Sequence, residues 1–313
     1  MELNTVTLPD FVKLATVIWG DAYDSIPQTM RESGLFKVDS IPMNSGNTRE
    51  YSEINGEQYA KLKEQGDQAT RAKVQQGYSK TLTQKRVAMD IGITYEMRTQ
   101  NKYPEVVQEL TSSAGQIARR MDLDMSHRIG FGTAYSYTDM DGETVDISLG
   151  QSSTQQLFDT NHGLRGSTTT YRNRLANNPR LSKGALEGME RLVVENTYNQ
   201  FGEKMTMPFD VLWTTDDPNT MNTAREYLQS TADVEGAHSG IVNVYQSKYR
   251  HVFLPLIATT AAGAPDTDKR YYWGIASTMM TTAHLGIWEE PHLKTPSDLN
   301  AGEEFSTDDW NFG

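Results

Sequence analysis

Apolar and polar positions alternate most cleanly in "RVAMDIGITYEM". Val87, Met89, Ile91, Ile93, Tyr95 and Met97 fall on one side of a period of two, and Ala88, Asp90, Gly92, Thr94 and Glu96 on the other. That pattern predicts a strand, and at about 3.3 Å per residue it would span roughly 35 Å. Upstream, "REYSEINGEQY" reads as the other arm of an extended hairpin, with Asn55-Gly56 as a turn or bulge signal. Between the two arms lies "KLKEQGDQATRAKVQQ", Lys61 to Gln76, charged and Gln-rich. From Ile54 to Val87 the intervening large apolar residues are only Tyr59, Leu62, Val74, Tyr78 and Leu82. These are too few to offset the entropy of ordering the segment, so the distal half of the hairpin is expected to stand away from its own domain.

A helical period takes over next. Val106, Leu110, Ala114, Ile117, Met121, Met125 and Ile129 recur at spacings of three to four, with Pro104 suited to the first turn and Gly130 to the end. The stripe predicts a helix over 104–129, roughly 40 Å long. Gly115 lowers its helix propensity, so a close packing contact is expected there. Near the start of the chain, Phe11, Leu14, Ala15, Ile18 and Ala22 share one face of a short predicted helix over 8–22. Pro27, Gly34, Pro42 and Gly46 punctuate the irregular stretch that follows. Residues 1–46 are read as an N-terminal arm, with a helix folded back on the core as the alternative.

The second half alternates short strands with helices. "YTDMDGETVDISLG" predicts a short hairpin, followed by a loop-rich stretch over 151–181. "SKGALEGMERLVVENTYN" predicts a helix with Ser182 as N-cap, and "DDPNTMNTAREYLQST" another, with Asp217 ahead of Pro218. "FDVLWTT", "IVNVYQ", "HVFLPLIA", "RYYWGIAS" and "LGIW" read as strands, with a last one near "FSTDDWNF".

The chain has 313 residues and no cysteine, which excludes disulfides, thiolate metal sites and Cys nucleophiles. Its net charge of −12 argues against a main surface that grips nucleic acid. From Ile287 to Gly313 there are seven acidic residues and one Lys, whereas Asn47 to Asp90 holds eight Lys/Arg and six Asp/Glu. A basic segment and an acidic one suit a surface that meets itself head to tail, although two solvated faces would give the same counts. No signal peptide and no run long enough for a membrane span is seen, so a cytosolic site of synthesis is expected.

Chemistry is sparse. "GFGTAY" at Gly130 lacks the third glycine of a dinucleotide fingerprint and follows a helix; no phosphate-binding loop, HExxH or Gly-x-Ser-x-Gly elbow occurs. "FDTNHG" places Asp159 and His162 in one loop, the pattern nearest to an active site and the basis for a hydrolase alternative. Asx-rich loops are also ordinary turns, and a structural role is the expectation. Glu289, Glu290 and His292 in "WEEPH" read as a solvated acidic edge. No cofactor or metal is called for.

The order of parts, more than any one motif, carries a resemblance. "GYSKTLTQKRVAMDIGITYEMRTQNKYPEVVQELTSSAGQIARRMD", "QQLFDTNHG", "FDVLWTTDDPNTMNTAREYLQS" and "RYYWGIAST…LGIWEEP…FSTDDWNFG" follow one another as do the parts of the Hong Kong 97-type major capsid protein of tailed bacteriophages. Within that family the chain resembles the Mu-like major head subunit from about residue 5 to 313. The resemblance implies an α+β fold with an N-terminal arm (1–46), an extended β-hairpin loop (47–98), a peripheral domain (99–150 and 281–313) built on the spine helix 104–129, and an axial α/β domain (151–280). It implies a structural protein, not an enzyme, that assembles into pentamers and hexamers of an icosahedral virion capsid around double-stranded DNA, in the host cytoplasm and without a membrane. A portal protein and a possible decoration protein are implied partners. With no scaffolding extension evident and the chain stopping at Gly313, a separate scaffolding protein is expected too. Lys61, Lys63, Arg71 and Lys73 are the candidates for loop contacts with a neighbouring copy, and Glu303, Glu304, Asp308 and Asp309 for the acidic surface opposite. An encapsulin-like compartment shell shares the implied fold, and a neighbouring terminase or portal gene would distinguish it.

Overall fold

The stripe from Val106 to Ile129 does fold into one long helix, and everything else is arranged along it. The computed structural model describes residues 8–55, 59–69, 71, 75–93, 103–150, 155–163, 170–199, 202–233, 240–281, 283–294 and 310–312. Among them are five α-helices: α1 (Leu8–Ser25), α2 (Thr29–Glu32), α3 (Tyr103–Gly130), α4 (Lys183–Asn196) and α5 (Pro218–Gln229). The strands are short. In chain order they are β1 (Lys37–Ser40), β2 (Thr48–Asn55), β3 (Gln75–Thr83), β4 (Ile91–Ile93), β5 (Ser136–Thr138), β6 (Thr144–Asp146) and β7 (His162–Gly163). They continue with β8 (Thr170–Tyr171), β9 (Val211–Thr214), β10 (Arg250–Phe253), β11 (Trp273–Ala276), β12 (His284–Ile287) and β13 (Trp310–Phe312). The fold is mixed α+β with small sheets.

Each half of α3 belongs to a different core. Val106, Leu110, Ala114 and Ala118 are buried against Ala15, Trp19, Ala22 and Tyr23 of α1, with Ile91 and Leu293. So α1 lies on the body of the protein, where an arm had been expected. Its buried face is also turned from the expected one. Leu14 and Val17 are exposed while Trp19 and Tyr23 are buried, because the two aromatics remove more apolar area from water than Leu14 can. Phe11 lies outside the residues whose side chains are described. The contact expected at Gly115 is present: a Cβ there would sit 3.4 Å from Ile26 Cδ1.

Met125 and Ile129, at one end of α3, pack instead with Met30, Leu35, Val211, Trp213, Val252, Leu254 and Ile257. Asp122 fixes α2 to this region by accepting from Thr29 Oγ1 and from the Met30 amide, both at 2.7 Å. At the helix end, a Cβ on Gly130 would lie 2.9 Å from the Ile257 carbonyl oxygen, so only glycine allows this approach.

The α/β unit hangs from that second core. β9 is buried along its length, with β10 parallel on one side and β11 antiparallel on the other. Leu186, Ala224 and Leu228 of α4 and α5 cover it together with Leu212, Tyr245 and Tyr249. The expected caps form: Ser182 accepts from the Ala185 amide and Asp217 from the Thr220 amide. "IVNVYQ" gives one antiparallel bridge, Val242 with Ala232, in place of the expected strand, and the chain then turns over 244–248. Asn243 donates to the carbonyls of Tyr227 and Ser230 and accepts from the Tyr245 amide, which holds that turn. "HVFLPLIA" is strand only to Phe253, after which Pro255 opens a 3-10 turn, Pro255–Ala258.

The cleanest alternation gives the least strand. Only Ile91–Ile93 of the 87–97 pattern is a strand among the described residues, antiparallel to β13. Val87 and Met89 are 48% and 38% exposed, and residues 94–97 lie outside the described ones. A period of two becomes a strand only where a partner edge is present, and 84–90 has none among the described residues.

Gly130→Ala should cost about 1–3 kcal/mol in denaturant unfolding, since backbone must move. Gly188→Ala, in mid-α4 with only ordinary contact to Leu175, should add about 0.5–1 kcal/mol. His127 supplies a pH effect. It is 1% exposed, bonds Thr259 Oγ1 through Nε2 at 3.1 Å, and burial lowers its pKa to about 4. The unfolded chain therefore binds a proton that the folded chain refuses, so stability should fall by up to roughly 3 kcal/mol as pH drops from about 6.5 to 4. His162 and His251 are shifted the same way by burial. His127→Gln should flatten this pH dependence without abolishing it, as read from unfolding curves across that range.

Candidate inter-subunit surface

The expected hairpin exists, with a different return arm. β2 pairs antiparallel with β3, from Thr48 opposite Thr83 to Asn55 opposite Gln75, with a register shift between Ser52 and Ile54. The return strand is thus Gln75–Thr83, mostly polar with Tyr78 and Leu82 as its large apolar residues, and not the more apolar "RVAMDIGITYEM". No other strand among the described residues pairs with β2 or β3.

The root of the ribbon is held by polar contacts. Tyr51 donates its hydroxyl to Asp39 Oδ2 at 2.7 Å, and His284 Nδ1 reaches the same oxygen at 2.7 Å. The Tyr51 and His284 rings stack 4.1 Å apart. The Tyr51 hydroxyl, and after it His284, holds the Asp39 carboxyl below the usual range. This cluster ties β2 to the parallel pair of β1 and β12, in which Lys37 stands opposite His284. On the return arm, Lys80 Nζ donates to Asp146 Oδ2 at 2.7 Å and to the Ser148 carbonyl at 3.0 Å, and Lys85 pairs with Glu143. Tyr78 fills the space that a side chain at Gly150 would need. The β5–β6 hairpin is therefore the seat of the ribbon.

Beyond the root, the described stretch over 59–69 is solvated. Every residue over 59–69 is exposed, and Leu62 is wholly so. This stretch touches the body through Tyr59, whose amide donates to Glu203 Oε2 and whose hydroxyl donates to the Lys204 carbonyl. Lys61, Lys63 and Arg71 are exposed, and none of them forms an ion pair among the described residues. Lys73, Glu303, Glu304, Asp308 and Asp309 lie outside the described residues.

The rival site around His162 is sealed. His162 is 0% exposed. Asn173 Oδ1 accepts from the Asp159 amide at 2.9 Å and lies 3.0 Å from His162 Nε2, while Asn173 Nδ2 donates to the Leu157 carbonyl. That orientation puts the proton on Nε2 and leaves Nδ1 bare, with no hydrogen-bond partner among the described residues. Asp159 accepts from the amides of Thr160 and Asn161, which makes it a turn-former. Glu290 pairs with Arg31 at 2.6 Å, and no three His, Asp or Glu among the described residues gather to hold a metal. Sequence reasoning missed the Asp39–Tyr51–His284 cluster altogether, and no local signal carries it, since its parts are far apart in the chain.

No protein-family model matches the chain, no curated protein matches it, and no solved structure matches it.

Brief trypsin treatment of the unassembled subunit should cut after Lys61, Lys63 or Arg71 while β3 stays whole at Lys80. Cleavage after Lys80 at an equal rate would contradict the anchored root.

Proposed function

We propose that the chain is a shell-forming structural subunit, the major capsid protein of a tailed bacteriophage with the Hong Kong 97-type architecture. The observation that carries this reading is the ribbon: two paired strands, rooted firmly, leading to a polar segment over 59–69 that covers no core of its own. Apart from the Tyr59 contacts with Glu203 and Lys204, such a segment gains order from a surface supplied by another molecule, and a second copy of the chain offers the acidic residues that its lysines lack. Val87 and Met89, alternating and exposed, extend the same argument to the stretch after β3. The long helix α3, the α/β unit and the closing strands follow the ribbon in the order that the resemblance implies. Individual contacts in a shell need only be weak, because closure engages many at once.

Electron microscopy of the purified chain, alone and with the products of neighbouring genes, tests the proposal. Uniform closed shells are the expected result, with a scaffold or portal protein required for correct size. Deleting residues 61–76 should leave a soluble subunit that builds no stable shell; normal shells from that variant would sink the assignment. Reversing Lys61 and Lys63 to Glu should weaken assembly more at low salt than at high salt, and a salt-independent loss would mean that packing, not charge, drives the contact.

A further inference from the structure

One group of unpaired arginines stands out on the α/β unit of this acidic chain. An open cleft of about 440 Å³ runs along α4, lined by Arg172, Pro179, Gly188, Arg191 and Glu195 among others. Next to Pro179, Arg180 lies over the Tyr271 ring at 3.8 Å, and Arg270 approaches the same ring at 4.9 Å. The Trp273 indole fixes this corner by donating to the Pro179 carbonyl at 2.9 Å. Arg172, Arg180, Arg191 and Arg270 are all exposed. None of the four forms an ion pair among the described residues, whereas Arg31 and Arg120 each have carboxylate partners. Glu195 is the carboxylate that lines the cleft, so the balance there remains positive.

Arg180 and Arg270 share one ring, and neither is in an ion pair among the described residues, although Asp266 and Asp268 lie just before Arg270 in the chain; two like charges so close are stabilised by an added anion. Stacking on an aromatic face keeps a guanidinium flat and leaves its N–H groups directed outward, the geometry that suits phosphate oxygens. The first turn of α4 also lines the cleft, and its dipole adds potential of the same sign.

We propose that Arg172, Arg180, Arg191 and Arg270 form a contact surface for the phosphate backbone of double-stranded nucleic acid, without sequence readout. Resting on the capsid reading, this marks the face of the α/β unit turned toward packaged DNA. Four phosphate contacts on a chain of net charge −12 give weak and strongly salt-dependent binding, which holds DNA near a wall that otherwise repels it.

The test is fluorescence anisotropy of the unassembled full-length subunit with a DNA duplex of about 30 base pairs, from about 50 to 200 mM salt. The parent should bind with a log–log salt slope near −3.6, about −0.9 per phosphate contact. Arg180→Gln with Arg270→Gln should weaken binding about tenfold or more at the lowest salt and reduce the slope by about 2. Arg172→Gln with Arg191→Gln should do the same. Lys13→Gln with Arg119→Gln, two exposed cations outside the patch whose loss changes the net charge equally, should leave both quantities near the parent's. Circular dichroism and thermal melting of each variant should match the parent, since all four arginines are exposed. Parent-like binding by both arginine pairs, or no binding by the parent at about 50 mM salt, would overturn the inference. Polyglutamate bound more tightly than DNA through the same arginines would overturn the nucleic-acid assignment and indicate an acidic polypeptide. Because the subunit is read unassembled, DNA binding through these arginines in a chain that never builds shells would support the patch and defeat the capsid reading.

Discussion

The whole arrangement depends on a helix too long for one core. α3 buries one half against α1 and the other against the sheet of the α/β unit. Its buried seam is not purely apolar. Ser113, Asp122 and His127 are each nearly inaccessible, and each meets a group on another element: the Trp19 indole N–H, the α2 amide and hydroxyl, and the Thr259 hydroxyl. Turning the helix about its axis would break all three sets of bonds, and each buried group left unpaired costs about 1–3 kcal/mol. Apolar burial holds α3 in place, and the polar groups select one rotation of it. With α3 set, the positions of α1, α2 and the Ile257 turn are set as well.

The ribbon obeys the opposite rule. Its root is a set of ion pairs and hydrogen bonds at the surface, and the stretch over 59–69 is solvated throughout. No helix among the described residues is long and apolar enough to cross a membrane, and the fully exposed Leu62 on the ribbon is a lone apolar side chain among charges. What the stretch over 59–69 exposes is mostly polar and charged side chains, which gain little by collapsing onto a core.

Local signals were legible wherever one segment's own pattern decided the outcome. Ser182 and Asp217 cap the helices they precede, and the stripe of α3 runs as its period requires. Decisions made by distant residues were not legible. The alternation of Val87 to Met97 promised a long strand, but a strand needs an edge to join, and among the described residues only three find one, in β13. "IVNVYQ" has the composition of a strand but keeps one bridge, Val242 with Ala232, before Asn243 reaches Tyr227 and Ser230 on a neighbouring segment and the chain turns. His162, expected to be structural despite its active-site-like loop, is a buried ring packed on Tyr171, 4.8 Å away. In the candidate surface, Lys61, Lys63 and Arg71, named from charge and the resemblance together, are exposed. The cluster that roots the ribbon was invisible, since Asp39 and His284 lie 245 positions apart.

The contrast between an apolar spine and a polar root has a thermodynamic consequence. Apolar burial weakens on cooling and with denaturant and is strengthened by sulfate-like salts. Surface ion pairs such as Lys80–Asp146 and Lys85–Glu143 are screened by any salt on the scale of the Debye length, about 10 Å at 0.1 M. The body and the ribbon therefore answer to different variables: temperature and denaturant act mainly on the apolar spine, whereas ionic strength reaches the charged part of the ribbon's seat and leaves its Tyr51 and Tyr78 contacts in place.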